Sequence, residues 1–77
     1  MESLKLVDIK QDDMVIKATV LVEGDENRSF DISFDSKGNI VSSTADNKQK
    51  YYEAQARIAF QKHIGKPIPK EIASMWY

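Results

Sequence analysis

Four acidic side chains near the middle of the chain have the types and spacing that could do chemistry. Asp31 and Asp35 fall on one side of a predicted strand, and Asp25 and Glu26 fall in the loop before it. Paired carboxylates can serve hydrolysis or bind a divalent cation. Residues 35–39 (DSKGN) are also similar to the start of a calcium-binding loop, but the glycine comes two places early and Lys37 would oppose the cation. A solvated hairpin explains these residues better, so we predict no metal ligands here.

Other catalytic groups are scarce. The one histidine, His63, falls on the apolar side of a predicted helix near its end, where a packed side chain is expected rather than a base or a ligand. The chain has no cysteine, which excludes disulfides, thiolate zinc sites and cysteine nucleophiles. Its three glycines are isolated, so there is no glycine-rich phosphate loop. We therefore predict no catalytic residues, no cofactor and no small-molecule substrate, and expect a protein that is not an enzyme.

Size and composition indicate a small globular protein. The 77 residues make one domain, with 42% of them apolar and 30% charged. No apolar run reaches the length of a membrane span, and Met1-Glu2-Ser3 does not begin a signal peptide. We expect a cytoplasmic protein without membrane association.

One long predicted helix, residues 46–64, positions many of the apolar side chains. Asp46 and Gln49 have the spacing of a capping box, and Gly65 and Pro67 are typical of a helix end. At about 100° per residue, the helix has two apolar stripes, whereas a helix lying on a sheet needs only one. The stripe expected to face the sheet comprises Tyr52, Ala56, Ala59, Phe60 and His63, and the outer stripe comprises Tyr51, Ala54 and Ile58.

Four strands are predicted before the helix, at residues 4–11, 14–23, 28–35 and 40–44, and they form an antiparallel β-meander. Phe30, Ile32 and Phe34 alternate with polar residues, which indicates one buried and one solvated face. Turn geometry then predicts the register: a three-residue loop ending at Gly38 sets Phe34 opposite Ile40. A similar loop at 25–27, with residue 24 pairing residue 28, sets Phe30 opposite Val22, Ile32 opposite Val20 and Phe34 opposite Ala18.

The first hairpin is the least determined part of the sheet. A two-residue turn at 12–13 places Val7 and Ile9 on the helix side, and it leaves Leu4 and Leu6 on the back of the sheet. A bulge that reverses part of the first strand is the alternative. The predicted helix-facing side of the sheet comprises Val7, Ile9, Met14, Ile16, Ala18, Val20, Val22, Phe30, Ile32, Phe34 and Ile40.

The tail, residues 66–77, is too apolar to be a loose end. Pro67 and Pro69 favour an extended lead-in, and residues 70–76 are predicted to form a short helix. Trp76 then either docks on its own domain or contacts a partner, and we favour docking. The predicted fold is α+β, with order β-β-β-β-α-α: a four-stranded meander (4–44), one long helix across one face (46–64) and a short C-terminal helical tail (66–77).

The chain carries more apolar surface than this arrangement covers. The outer helix stripe and a back patch of Leu4, Leu6, Val15 and Leu21 both remain, and the tail can cover only one of them. An exposed apolar patch is typical of an interface, so we expect a protein–protein interaction module that self-associates or docks on a larger protein. By analogy of architecture alone, such domains are common among small bacterial and phage-type proteins, including inhibitors of larger machines. The predicted interface residues are Leu4, Leu6, Leu21, Tyr51, Ala54, Ile58, Ile72 and Trp76.

The charge distribution gives an alternative function. Residues 1–46 hold ten acids and five bases, whereas residues 47–77 hold two acids and six bases. A basic half can bind nucleic acid, although exposed lysines are also ordinary helix residues, and these bases are spread around the helix. Sheet-based nucleic-acid binding is unfavourable, because the sheet phenylalanines face the helix. The alternative nucleic-acid contacts are Lys48, Lys50, Arg57, Lys62, Lys66 and Lys70.

Overall fold

The fold is a single antiparallel sheet covered on one face by one helix. The computed structural model describes residues 2–23 and 25–76, and for residues 25–27 it describes the backbone alone. The elements in chain order are β1 (Glu2–Asp12), β2 (Val15–Val22), β3 (Asp25–Phe34), β4 (Ile40–Ser43), a 3₁₀ turn (Asn47–Gln49), α1 (Lys50–Gln61) and β5 (Ile72–Trp76). The sheet order is β4-β3-β2-β1-β5, with every neighbouring pair antiparallel. The α+β class is therefore confirmed.

The prediction of a short C-terminal helix is wrong. The tail forms a fifth strand, which pairs with β1 from Glu2 opposite Trp76 to Leu6 opposite Ile72. Ile72 and Trp76 are separated by four residues, a spacing that suits one side of a helix as well as one face of a strand. The outer edge of β1 favours the strand over the helix. Its backbone N–H and C=O groups need hydrogen-bond partners, which a fifth strand supplies and a tail helix would not. The tail therefore docks on its own domain, but as a strand.

A bulge in β1 exchanges the faces to which the side chains before and after it point, so the predicted register without a bulge is wrong. The pairing of β1 with β2 shifts between Val7 and Lys10, and Asp8 takes a left-handed φ of 51°. Leu4 and Leu6 consequently face the helix, where they are completely buried. Val7 turns to the back of the sheet, whereas Ile9 packs against the core as predicted. The predicted inward position of Met14 is also wrong, since it lies in the turn with its side chain exposed.

The hairpin between β2 and β3 is tighter than predicted. Phe30 pairs with Val20 rather than Val22, and Val22 pairs with Asp25 across a further register shift. The loop at 25–27 is therefore wrong, because these residues belong to β3; the predicted partner of Arg28, Gly24, lies outside the described residues. A shift of two residues keeps each side chain of β3 on the same face of the sheet. The predicted alternation of buried and exposed residues in β3 is therefore confirmed. The pairing of Phe34 with Ile40 is also confirmed, with Gly38 left-handed at φ 84°.

The helix begins at the predicted capping box. The Asp46 carboxylate accepts hydrogen bonds from the backbone N–H groups of Lys48 and Gln49, and the Gln49 amide oxygen accepts from the Asp46 N–H at 2.9 Å. The first turn is 3₁₀, so α1 proper covers 50–61 of the predicted 46–64. Gly65 follows in the left-handed conformation at φ 79°. No helix in the described part of the chain is both long and apolar enough to cross a membrane.

The core lies between α1 and the front of the sheet. Ala56, Ala59 and Phe60 are the buried helix residues, and the Phe60 ring stacks on Phe34 with 4.2 Å between ring centroids. Ile72 belongs to the same buried cluster, and Trp76 packs against its margin. The back of the sheet has no covering layer among the described residues. One face of the sheet and one side of the helix therefore remain open.

Candidate functional site

The carboxylates with the best spacing for chemistry have structural roles. The Thr19 hydroxyl donates to the Asp31 carboxylate at 3.1 Å on the back of the sheet. Asp35 accepts from the backbone N–H groups of Lys37 and Asn39, at 2.9 Å each, and so closes the turn before β4. These hydrogen bonds, that from Asn39 first, lower the pKa of Asp35 from its ordinary value of 3.8. The side chains of Asp25 and Glu26 lie outside the described part of the structure.

The described residues do not bring metal ligands together. Among residues 2–23 and 25–76, no group of three or more His, Cys, Asp or Glu is placed to hold a metal ion. His63 is part-buried in the turn that follows α1, and its backbone N–H donates to the Phe60 carbonyl at 2.9 Å. The described parts of the chain therefore offer no metal site built from three such side chains.

The eight predicted interface residues divide into two sets. Leu4, Leu6 and Ile72 are buried in the core, so the prediction that they are available to a partner is wrong. Their burial follows from the bulge in β1 and from the pairing of the tail as β5. The residues that stay exposed or part-exposed in the single chain are Leu21, Tyr51, Ala54, Ile58 and Trp76.

Three of these residues form the outer stripe of α1, which begins beside β5 at Tyr51. Tyr51 and Ile58 expose 50% and 51% of their surface, and Ala54 between them is exposed. The Trp76 indole N–H donates to the Tyr51 hydroxyl, which ties this side of the helix to the end of β5. Further along the helix, Arg57 donates to the Asn39 side chain at 3.2 Å, beside the turn before β4. The stripe therefore begins beside the β5 edge at Tyr51, and α1 then crosses the sheet towards the turn before β4.

An aromatic cluster fixes the position of the stripe. The Tyr51 ring makes edge contacts with Tyr52 and Trp76, at centroid separations of 5.5 and 6.0 Å. Arg28 reaches from β3 to donate to the Tyr52 hydroxyl at 3.0 Å, and its guanidinium lies 5.8 Å from the Tyr52 ring centre. These contacts hold Tyr51 in a defined orientation without burying it.

The outer edge of β5 presents backbone groups near Tyr51, where this stripe begins. Successive residues of a strand point their N–H and C=O groups to opposite neighbours. The Ser3 carbonyl accepts from Glu23 on the β2 side, so the groups of Leu4 point to β5, where Leu4 pairs with Ser74. The N–H and C=O groups of Ser74 therefore point to β1. Those of Ala73 and Met75 point outward, where no described strand pairs with them.

The edge lacks the usual protection against pairing. Exposed edge strands are commonly blocked by lysine, proline or a bulge, and β5 (IASMW) has no charged residue, no proline and no register shift. Met75 projects from its back face with 68% of its surface exposed. We call the free edge of β5 and the outer stripe of α1 together the β5 flank; its residues are Tyr51, Ala54, Ile58, Ala73 and Met75.

Ala73 and Met75 are residues that the sequence prediction missed. Because the tail was predicted to be a helix, the sequence prediction contained no free strand edge at these residues. The signal that could have found them is the alternation of Ile72, Ser74 and Trp76 with Ala73 and Met75, which has the period of a strand.

The back of the sheet is a weaker candidate. Leu21 exposes 37% of its surface there, and Val7 and Val15 are part-buried. The register places charged residues between them: Lys5 pairs with Leu21, and Lys10 pairs with Lys17. The apolar patch predicted on this face is therefore reduced to scattered side chains.

The six basic residues of the alternative site are all exposed: Lys48, Lys50, Arg57, Lys62, Lys66 and Lys70. Lys50 pairs with Glu53 at 3.4 Å, and Arg57 points to the turn before β4. Arg57 and Lys62 lie on different sides of α1, since five residues turn a helix by about 500°. The structure therefore leaves these charges distributed rather than gathered on one face.

No protein-family model matches the chain, and neither the curated proteins nor the solved structures include one that is significantly similar to it. The functional argument therefore depends on the geometry of the β5 flank.

Proposed function

We propose that the chain is a non-enzymatic protein–protein interaction module that docks through the β5 flank. The observation that carries this proposal is the free edge of β5, which lies beside Tyr51, the first residue of the half-exposed outer stripe of α1. Strand addition to an open edge gives affinity through main-chain hydrogen bonds, and neighbouring apolar side chains give specificity. The β5 flank supplies both kinds of contact.

The arrangement of polar groups is consistent with binding rather than catalysis. Asp31 is engaged with Thr19, and Asp35 closes a turn. A general base must lie within hydrogen-bond reach of the proton that it removes, usually together with an orienting partner. The described residues offer the β5 flank no such pair.

Co-purification with matched variants tests the proposal. Ile58→Asp places a charge in the outer stripe of the flank, whereas Val41→Asp places the same charge on an exposed residue of β4, at the opposite edge of the sheet. We expect proteins bound by the wild type to be retained by Val41→Asp and reduced about tenfold or more by Ile58→Asp, because burying an unpaired charge is costly. Circular dichroism checks that both variants fold. If the two variants retain the same proteins in equal amounts, the β5 flank is not the docking surface.

Nucleic-acid binding is the second candidate, and the exposure of all six basic side chains is the observation in its favour. Binding through phosphates weakens steeply as salt rises. Retention on heparin or DNA resin at low salt, with a reduced salt dependence in the Lys62→Gln and Lys66→Gln variants, would support it. A chain that passes through both resins at low salt does not bind nucleic acid in this way.

A further inference from the structure

We draw no further inference here: the strongest candidate, the free five-residue edge of β5 at the margin of the sheet, has exposed charges of both signs beside it, Lys5 and Glu71, and nothing in the structure shows what covers it.

Discussion

Phe60 joins the helix to the sheet through its stack on Phe34, and both rings are buried. We expect Phe60→Ala to lower the free energy of unfolding by about 3–5 kcal/mol, because the lost ring leaves a cavity that the sheet cannot fill. A domain of this size has little more than that to lose. Urea denaturation followed by circular dichroism measures the change.

Ile58→Ala is the matched control, since Ile58 lies two residues away on the exposed side of α1. Measured at low protein concentration, it should change stability by less than about 0.5 kcal/mol. Equal losses in the two variants would contradict the assignment of Phe60 to the core.

Asp35 makes stability depend on pH. Hydrogen bonds from the Asn39 and Lys37 N–H groups lower its pKa in the folded chain below the ordinary value of 3.8. A lowered folded-state pKa contributes stability above the unfolded pKa, and this contribution disappears as pH falls through the folded-state pKa. Asp35→Asn removes the titration, so we expect its stability difference from the wild type to be constant at neutral pH and to shrink below about pH 4.

Urea denaturation at several pH values measures this difference. Asp12→Asn is the comparison, because its carboxylate makes an exposed ion pair with Lys17. A difference between wild type and Asp35→Asn that does not vary between neutral pH and pH 3 would contradict the role of the turn carboxylate.

The start of the helix depends on one side chain. Asp46 accepts from two backbone N–H groups that have no partner within the helix. We expect Asp46→Ala to lower the free energy of unfolding by about 0.5–2 kcal/mol, whereas Asp46→Asn keeps an accepting oxygen and should cost less. Thermal unfolding provides the measurement, since about 1 kcal/mol shifts the midpoint of such a domain by about 4–8 °C. An unchanged midpoint in Asp46→Ala would mean that the cap contributes nothing.

The capping box and the alternating strand could be predicted from sequence because each is determined by neighbouring residues. Asp46 needs only Gln49, and Phe30, Ile32 and Phe34 need only the period of a strand. The turn that pairs Phe34 with Ile40 is equally local. These elements also hold the helix in place, so the outer stripe of Tyr51, Ala54 and Ile58 was found with them.

The face of β1 could not be predicted in the same way, because a bulge is decided by packing. The left-handed φ of Asp8 costs about 1–2 kcal/mol, and aspartate tolerates it better than most residues. Turning Leu4 and Leu6 inward gains roughly 1.5–3 kcal/mol for each side chain. The free energy gained by burying the two leucines exceeds the cost of the strained backbone. Rules that consider only neighbouring residues include that cost but not the gain.

The conformation of the tail could not be predicted from neighbouring residues either, and its deciding contact is more distant along the chain. Five residues do not distinguish a strand from a short helix, and the deciding partner, β1, lies about 70 positions away along the chain. With the tail placed as a helix, the free edge of β5 and the exposure of Met75 were hidden. The β5 part of the candidate surface therefore depended on a contact with a distant segment of the chain.

The tail also closes the core of the molecule, so its removal tests the whole arrangement. Ile72 is buried, Trp76 packs against the margin of the core, and β5 pairs with the outer edge of β1. A chain that ends at Glu71 exposes Leu4 and Leu6 and unpairs that edge. We expect it to lose several kcal/mol of stability, on the order of what so small a domain possesses, and to aggregate through the open edge.

Met75→Ala alters the same strand at an exposed position and should unfold with nearly the wild-type midpoint. Circular dichroism follows unfolding in both variants without depending on Trp76. Cooperative unfolding of the shortened chain at the wild-type midpoint would show that β5 is an attachment to the domain rather than a part of its core.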